Sequence, residues 1–236
     1  MTDAARPRFP IILTLAVVLL LGVLVMLGVW QSQRLQWKLD LIDRSEAAAR
    51  QAPAPLAEVL ALDDPEFRQA ILTCRGLNTA PFVELQTIED GDAGVRLISA
   101  CTVEGQGTLL VDRGFIPSDS DERPIVNAEA DMPVVVAVVV RRAPPPNTMT
   151  PAPAGRVFYG RDGAAMARAL GVSGAVSPYT FYAVTTANPE IKTLRAVAPP
   201  AAFSNNHLGY ALTWFGLAVV LVGFYAAILF RRYRSS

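Results

Sequence analysis

The chain has 236 residues, and its 21 Lys and Arg side chains balance 21 Asp and Glu side chains. Balanced charge gives no electrostatic basis for binding nucleic acid or another polyanion. Hydrophobic residues make up 52% of the chain, and two long uncharged blocks hold much of that fraction, which favours a membrane protein.

The two uncharged blocks are predicted transmembrane helices. Residues 9–30 read FPIILTLAVVLLLGVLVMLGVW and residues 210–230 read YALTWFGLAVVLVGFYAAILF. As a helix the first block would be about 33 Å long, enough to cross a hydrocarbon core of about 30 Å. It is longer than the apolar region of a signal peptide and does not end in a small-x-small cleavage site. We therefore predict a retained anchor.

The distribution of basic residues predicts how the chain is oriented. Three arginines follow the second block, within residues 231–236, whereas residues 196–209 contain no Lys or Arg. Positive charge collects on the cytoplasmic side of membrane proteins. The pattern predicts that the termini, residues 1–8 and 231–236, are cytoplasmic and that residues 31–209 lie outside the cytoplasm.

Between the blocks, a helical extension and linker is predicted first, over residues 31–66. Leu35, Leu39 and Ile42 recur at helical spacing, and a Pro-broken stretch with a short helix follows. Residues 67–209 then form a domain of short strands rich in β-branched and aromatic residues. The predicted strands are 67–77, 81–88, 94–105, 107–117, 133–142 and 179–186, and residues 161–171 form a small helix.

These elements predict an α+β membrane protein, in which two transmembrane helices flank a small, mainly-β, barrel-like extracytoplasmic domain. Residues 94–105 and 107–117 have the pattern of a β-hairpin with a Gly-containing turn. The two cysteines of the chain, Cys74 and Cys101, both fall in this domain. An oxidising compartment permits a disulfide between them, and two small buried apolar side chains are the alternative interpretation.

Catalytic motifs are missing from the sequence. It contains no GxSxG, P-loop or GxGxxG pattern, and its one histidine, His207, lies at the edge of the second block. The acidic cluster of Asp119, Asp121 and Glu122 lacks the spacing of a calcium loop and is typical of a solvated turn. Cysteine and methionine are too scattered for a copper site. We predict that the protein is not an enzyme.

The remaining candidate residues lie at the outer ends of the two blocks. Trp30, Arg34 and Trp37 share one helical face, with Lys38 beside them, and His207 shares a face with two further aromatic residues, Tyr210 and Trp214. Aromatic belts with a flanking arginine are ordinary membrane anchors. The other interpretation is a site for a flat, apolar, anionic ligand. A haem has these properties, because an axial imidazole can hold its iron, aromatic rings can pack on the macrocycle, and basic residues can meet its propionates.

Three motifs resemble the Surfeit locus protein 1 family: GVWQSQRLQWK after the first block, LLVDRGFIP in the domain, and NNHLGYALTWFGLA at the second block. The resemblance covers nearly the whole chain, and together with the predicted orientation it implies a protein of the bacterial inner membrane with a periplasmic main domain. It implies a cytochrome c oxidase assembly factor that binds haem a transiently and delivers it to the catalytic subunit, subunit I, with haem a synthesis machinery as a further possible partner. The implied cofactor-binding residues, with His207 as metal ligand, are Trp30, Gln31, Arg34, Trp37, Lys38, His207, Tyr210 and Trp214.

The same resemblance matches the mid-domain motif to Arg113 and Gly114. The alternative function is a scaffold that stabilises an oxidase assembly intermediate through its helices and domain without touching haem. In that case the candidate site residues are membrane anchors or partner contacts.

Overall fold

The computed structural model describes residues 9–145, 147–200 and 205–234 of the chain. Its contacts divide the chain into two compact units, a helical unit of Met1–Asp43 with Ala202–Ser236 and a β unit of Arg44–Ala201. Two long helices, α1 (Ile11–Ala49) and α4 (His207–Arg234), stand at either end of the β unit in the sequence. Both are long and apolar enough to cross a membrane. Two apolar helices flanking a sheet domain confirm the predicted α+β membrane architecture.

The helices extend beyond the uncharged blocks. α1 continues through Trp30 to Ala49 without interruption, because residues 31–49 contain neither Pro nor Gly. α4 begins at His207, three residues before the predicted block, so the imidazole belongs to the first turn of that helix. The linker after α1 holds a two-residue strand, β1 (Ala54–Pro55), and a short helix, α2 (Leu56–Leu60).

Among its described residues the β unit contains a single sheet, and its longer strands overlap the predicted ones, with the last of them beginning and ending three residues earlier than predicted. They are β2 (Gln69–Arg75), β3 (Phe82–Glu89), β4 (Asp92–Val103), β5 (Gly107–Pro117), β6 (Pro133–Arg142) and β8 (Val176–Ala183), with a two-residue strand, β7 (Val157–Phe158), also present. A helix, α3 (Gly163–Ala169), begins at Asp162, whose side chain accepts a hydrogen bond from the Ala165 amide at 2.9 Å. Asp162 is thus the N-cap that the sequence predicts.

The strand order is β1-β2-β6-β8-β5-β4-β3-β7. β4 and β5 pair antiparallel around a turn that contains Gly105 at φ 74°, so the predicted hairpin is confirmed. β8 inserts between β6 and β5 and runs parallel to β5. Two parallel strands cannot be joined by a tight turn. The connection from β5 to β8, residues 118–175, is long and includes β6 and α3.

The sheet curls strongly around its main core. Cys74 on β2 and Cys101 on β4 form a disulfide with a Cα–Cα distance of 5.8 Å, although three strands separate β2 from β4 in the sheet. A bond between strands so far apart in the order requires a barrel-like curvature. Both cysteines are also buried within that core. The pair is therefore bonded as well as buried, and the alternative interpretation as two unbonded apolar side chains is wrong.

A β-bulge interrupts β5 at the Asp-Arg-Gly sequence. Leu97 pairs with Gly114 and the next residue, Ile98, pairs with Asp112, so Arg113 is an extra residue on β5. Gly114 has φ 132°, and a Cβ atom there would overlap the backbone of Arg195. Glycine is required here for the backbone conformation and for the close approach of the neighbouring segment.

Candidate functional site

The two long helices contact each other along one side within the helical unit. The Thr14 hydroxyl hydrogen-bonds to the Tyr225 hydroxyl near one end. Further along α1, Gly28 lies against the ring of Phe215, and a Cβ atom at position 28 would be 2.6 Å from a ring carbon. Because residue numbers rise along α1 as they fall along α4, the helices run antiparallel. The glycine permits the close approach.

The next contact between α1 and α4 joins His207, the histidine of the third motif, to Gln31 of the first motif. The Nδ1 atom of His207 lies 2.7 Å from the Oε1 atom of Gln31, and the Gln31 side chain is 9% exposed. An amide oxygen can only accept, so this contact is a hydrogen bond when the proton of the ring is on Nδ1. In that neutral tautomer the second ring nitrogen, Nε2, keeps its lone pair and is able to bind a metal.

The other candidate residues are mostly accessible. Trp30, Trp37 and Tyr210 are between 48% and 55% exposed, and the Arg34 guanidinium stacks 5.1 Å from the centre of the Trp37 ring. Lys38, Trp214 and His207 are half-buried. Of the eight predicted site residues, the structure joins Gln31 to His207 and Arg34 to Trp37 by direct contacts.

Helix geometry places several of these side chains on one side of the helix pair. Each residue advances by about 100° around an α-helix, and the bond between Gln31 and His207 marks the line along which the helices face each other. Residues rotated from that line by about 60–120° in the same sense lie on the same side of two antiparallel helices. This side, which we call the aromatic flank, consists of Trp30, Arg34 and Trp37 of α1 with Tyr210 and Thr213 of α4.

An open cavity of about 440 Å³ lies at the start of α4 and includes two residues of the aromatic flank. The volume falls in the range of about 300–1,000 Å³ that is common for small-molecule sites. Within it, the Oδ1 atom of Asn205 is buried and has no hydrogen-bond partner among the described residues. The lining residues are Asn205, Asn206, Gly209, Tyr210 and Thr213. His207 is not among the residues that line this cavity.

Comparison with known proteins identifies the family. The model of the SURF1 family matches residues 18–219. The chain belongs to the SURF1 family. It is 29% identical over 216 residues to Surfeit locus protein 1 of Homo sapiens, covering 81% of this chain and 69% of the human protein. Surfeit locus protein 1 of Mus musculus is 27% identical (81% of this chain, 67% of the relative), and a SURF1-like protein of Caenorhabditis elegans is 25% identical (82% and 67%).

The family assignment confirms the resemblance read from the three motifs, and the matched region contains every candidate site residue. The mid-domain motif of this SURF1-family chain, however, has a different environment from the other two. Asp112 and Arg113 are both fully buried in the β unit. Their side chains belong to two separate hydrogen-bond networks, which the motif alone does not predict.

Asp112 holds the first network together. Its carboxylate accepts hydrogen bonds from Arg96 Nε at 2.9 and 3.0 Å and from the Arg161 guanidinium at 2.6 Å. Arg96 also bonds to Glu89 and to the backbone oxygen of Val197. Burial lowers the pKa of Arg96, but the charges of Asp112 and Glu89 outweigh it and raise the pKa overall. The two arginines and two acids sum to zero charge, so the network is a set of buried ion pairs with no net charge.

Arg113 holds the second network from the opposite side of the bulge. Its guanidinium donates to the backbone oxygens of Asn78 at 2.8 Å and Ala80 at 3.3 Å, and to the side chain of Asn188. Burial lowers the pKa of Arg113 to about 10, and the charge of Glu190 opposes that shift only in part. Arg113 thus stays protonated at neutral pH. A clue was available in the sequence, because D-R-G interrupts an otherwise apolar strand.

The described part of the chain contains no group of three or more His, Cys, Asp or Glu side chains that could hold a metal ion. In the acidic cluster, Glu122 accepts a hydrogen bond from the Thr193 hydroxyl at 2.7 Å. His207, the one histidine of the sequence, offers one nitrogen ligand.

Proposed function

We propose that this SURF1-family protein is a cytochrome c oxidase assembly factor that binds haem a at the outer membrane face and delivers it to the catalytic subunit. The family is one of oxidase assembly factors. The observation that carries the haem proposal is the imidazole of His207, held through Nδ1 by Gln31 with its Nε2 atom left to act as a ligand.

The residues around His207 match the chemistry of a haem. When bound, the haem supplies an iron that needs an axial ligand, and Nε2 of His207 is that ligand in this proposal. Trp30, Trp37, Tyr210 and Trp214 offer apolar surface for the macrocycle. Arg34 and Lys38 provide positive charge for its two propionates. The half-exposed positions of the flank residues leave a path by which the cargo can leave.

A single imidazole ligand also suits a carrier. A stable cytochrome gains affinity from two axial side chains, whereas this chain has one histidine in total. Weaker axial ligation allows the catalytic subunit to take the haem by offering better ligands. The expected complex is therefore transient, and its haem content should depend on how much haem a the cell makes.

We further propose that the protein lies in the bacterial inner membrane with both termini in the cytoplasm and the β unit in the periplasm. The arginines at the end of α4 support this orientation. The disulfide between Cys74 and Cys101 supports an oxidising compartment for the β unit. Alkaline phosphatase fused after residue 120 should be active, and fused after residue 236 it should be inactive; the reverse pattern would overturn this orientation.

The test of the haem proposal is the haem content of the purified full-length protein. Wild type, His207→Ala and the exposed-glutamine control Gln33→Ala are each purified from cells that make haem a, and their absorption spectra are compared. We expect haem a in the wild type and the control, and a loss of most of it in His207→Ala. Equal haem content in His207→Ala and wild type would eliminate His207 as the ligand.

The second candidate function is a scaffold that stabilises an oxidase intermediate without haem. The exposure of Trp30, Trp37 and Tyr210 favours it, because such side chains are also typical of membrane-interface belts and partner contacts. A scaffold purifies without pigment even when haem a is plentiful. Deleting a scaffold lowers the amount of oxidase, whereas deleting a haem carrier lowers the haem a occupancy of the oxidase that remains.

A further inference from the structure

The contact between Gln31 and His207 assigns a specific task to the glutamine. Gln31 is nearly buried at the seam between α1 and α4, and its amide oxygen lies 2.7 Å from Nδ1. A side chain buried there has little access to a bound macrocycle. Its position, on the far side of the imidazole from Nε2, is that of a group which orients a ligand and does not touch the cargo.

The chemistry of imidazole makes this position consequential. A neutral histidine carries one ring proton, on either Nδ1 or Nε2, and only the other nitrogen can bind a metal. An oxygen acceptor facing Nδ1 stabilises the tautomer with the proton on Nδ1. Metal-binding histidines almost always donate their second N–H to such an oxygen, and losing it typically weakens metal binding by about 10–100-fold.

We propose that Gln31 is a positioning residue that holds His207 in its Nδ1-protonated tautomer and fixes the ring so that Nε2 faces an incoming haem iron. This inference rests on the proposed haem function for its purpose, but the tautomer itself is a property of the free protein. An amide at this position also differs from a carboxylate, because a negative partner makes the imidazole a stronger ligand. The neutral glutamine gives orientation while keeping the bond weak enough for release.

The first experiment reads the tautomer directly and needs no haem. Because the chain has a single histidine, labelling full-length protein with ring-¹⁵N histidine in detergent micelles gives the NMR signals of one imidazole only. At a pH where the ring is neutral, we expect Nδ1 to carry the proton in wild type and in the control Gln33→Leu, whose side chain is exposed on the same helix. In Gln31→Leu the proton should move largely to Nε2. Protonation of Nε2 in wild type would overturn the proposal, even if no variant folds.

The second experiment titrates haem a into the same purified proteins. Gln31→Leu should bind about 10–100-fold more weakly than wild type, and Gln33→Leu should match wild type. Gln31→Glu keeps an oxygen acceptor, so it should bind at least as tightly as wild type and release haem more slowly. Unchanged affinity in Gln31→Leu would refute the positioning role.

The two proposals fail in different ways. If His207 is not the haem ligand, His207→Ala binds haem as wild type does, whatever the NMR signals show. If His207 is the ligand and Gln31 does not position it, His207→Ala loses haem while Gln31→Leu keeps both the wild-type affinity and the wild-type tautomer.

Discussion

Asp112→Asn should strongly destabilise the β unit, because it removes one negative charge from a buried network that is neutral as a whole. The carboxylate has no exposed surface and bonds to both Arg96 and Arg161. An asparagine keeps one oxygen acceptor but turns an N–H₂ donor toward an arginine, and it leaves two guanidinium groups with Glu89 as the remaining acid of the network.

The expected loss follows from this imbalance. Removing one partner of a buried ion pair costs about 3–5 kcal/mol of unfolding free energy, since the other charge stays buried without compensation. With a urea dependence of about 2 kcal/mol per M, the unfolding midpoint should fall by about 1.5–2.5 M. Subtracting this loss from a typical domain stability of about 5–15 kcal/mol leaves about 0–12 kcal/mol, so the variant is marginal where the wild type lies at the low end of that range.

Pulse proteolysis of the full-length protein in micelles across a urea series measures this loss, scored by protection of residues 44–201. Tryptophan fluorescence is unsuitable, because the three tryptophans of the chain are in α1 and α4. Asp162→Asn is the matched control, since asparagine caps a helix as well as aspartate does. An unfolding midpoint of Asp112→Asn equal to that of the control would refute the claim that the buried ion pairs of Asp112 stabilise the β unit. Adding Arg161→Gln to Asp112→Asn should recover about 1–3 kcal/mol relative to the sum of the single losses.

Three further variants test other parts of the β unit by the same assay. Gly114→Ala should cost more than about 3 kcal/mol, because the new Cβ meets backbone that cannot move aside, whereas Gly105→Ala, at a turn with open space around it, should cost about 1 kcal/mol; equal losses would contradict the close-approach argument. Arg113→Lys should cost about 2–4 kcal/mol, since an ammonium cannot serve all the acceptors of a buried guanidinium, and a loss below about 1 kcal/mol would contradict that reasoning. Replacing Cys74 and Cys101 together by Ala should cost about 3.5 kcal/mol for opening a loop with a separation of 27 residues, and an unchanged midpoint after reduction of the wild type would argue against the bond.

The positions of the strands could be predicted from the sequence because they depend on local patterns. β6 is a run of valines ended by two arginines, and the β4–β5 hairpin turns at a Gly-containing segment, so each element is bounded by residues close to it in the chain. The strand order could not be predicted in the same way. β8 finds its place between β6 and β5 through contacts between residues that are far apart in the sequence, as between Thr180 and Leu110, and no local pattern encodes such a choice.

The candidate site, too, could be predicted from the sequence only where it depends on local patterns. Helical spacing was enough to group Trp30, Arg34 and Trp37 on one face of α1, because that grouping depends on one helix alone. The partner of His207 depends on how two helices separated by more than 150 residues pack together. The motif match suggested that Gln31 belongs to the site, but only the packing shows that it contacts the imidazole through Nδ1.

The three motifs that carry the family resemblance therefore differ in physical character: one is buried in the β unit, and two are accessible at the helix ends. Asp112, Arg113 and Gly114 are enclosed. Hydrogen bonds of the Asp112 and Arg113 side chains join β5 to neighbouring segments, among them Arg96 of β4 and the backbone oxygen of Asn78. They are inaccessible to a cargo, so a variant at these positions should lower the amount of folded protein without changing haem affinity in the fraction that folds. The motifs at the two helix ends have the opposite character, because their aromatic and basic side chains are half-exposed beside one oriented imidazole. Under the proposed haem function, a variant there should change haem binding and leave the unfolding midpoint of the β unit unchanged, because the helix pair and the β unit are separate compact units.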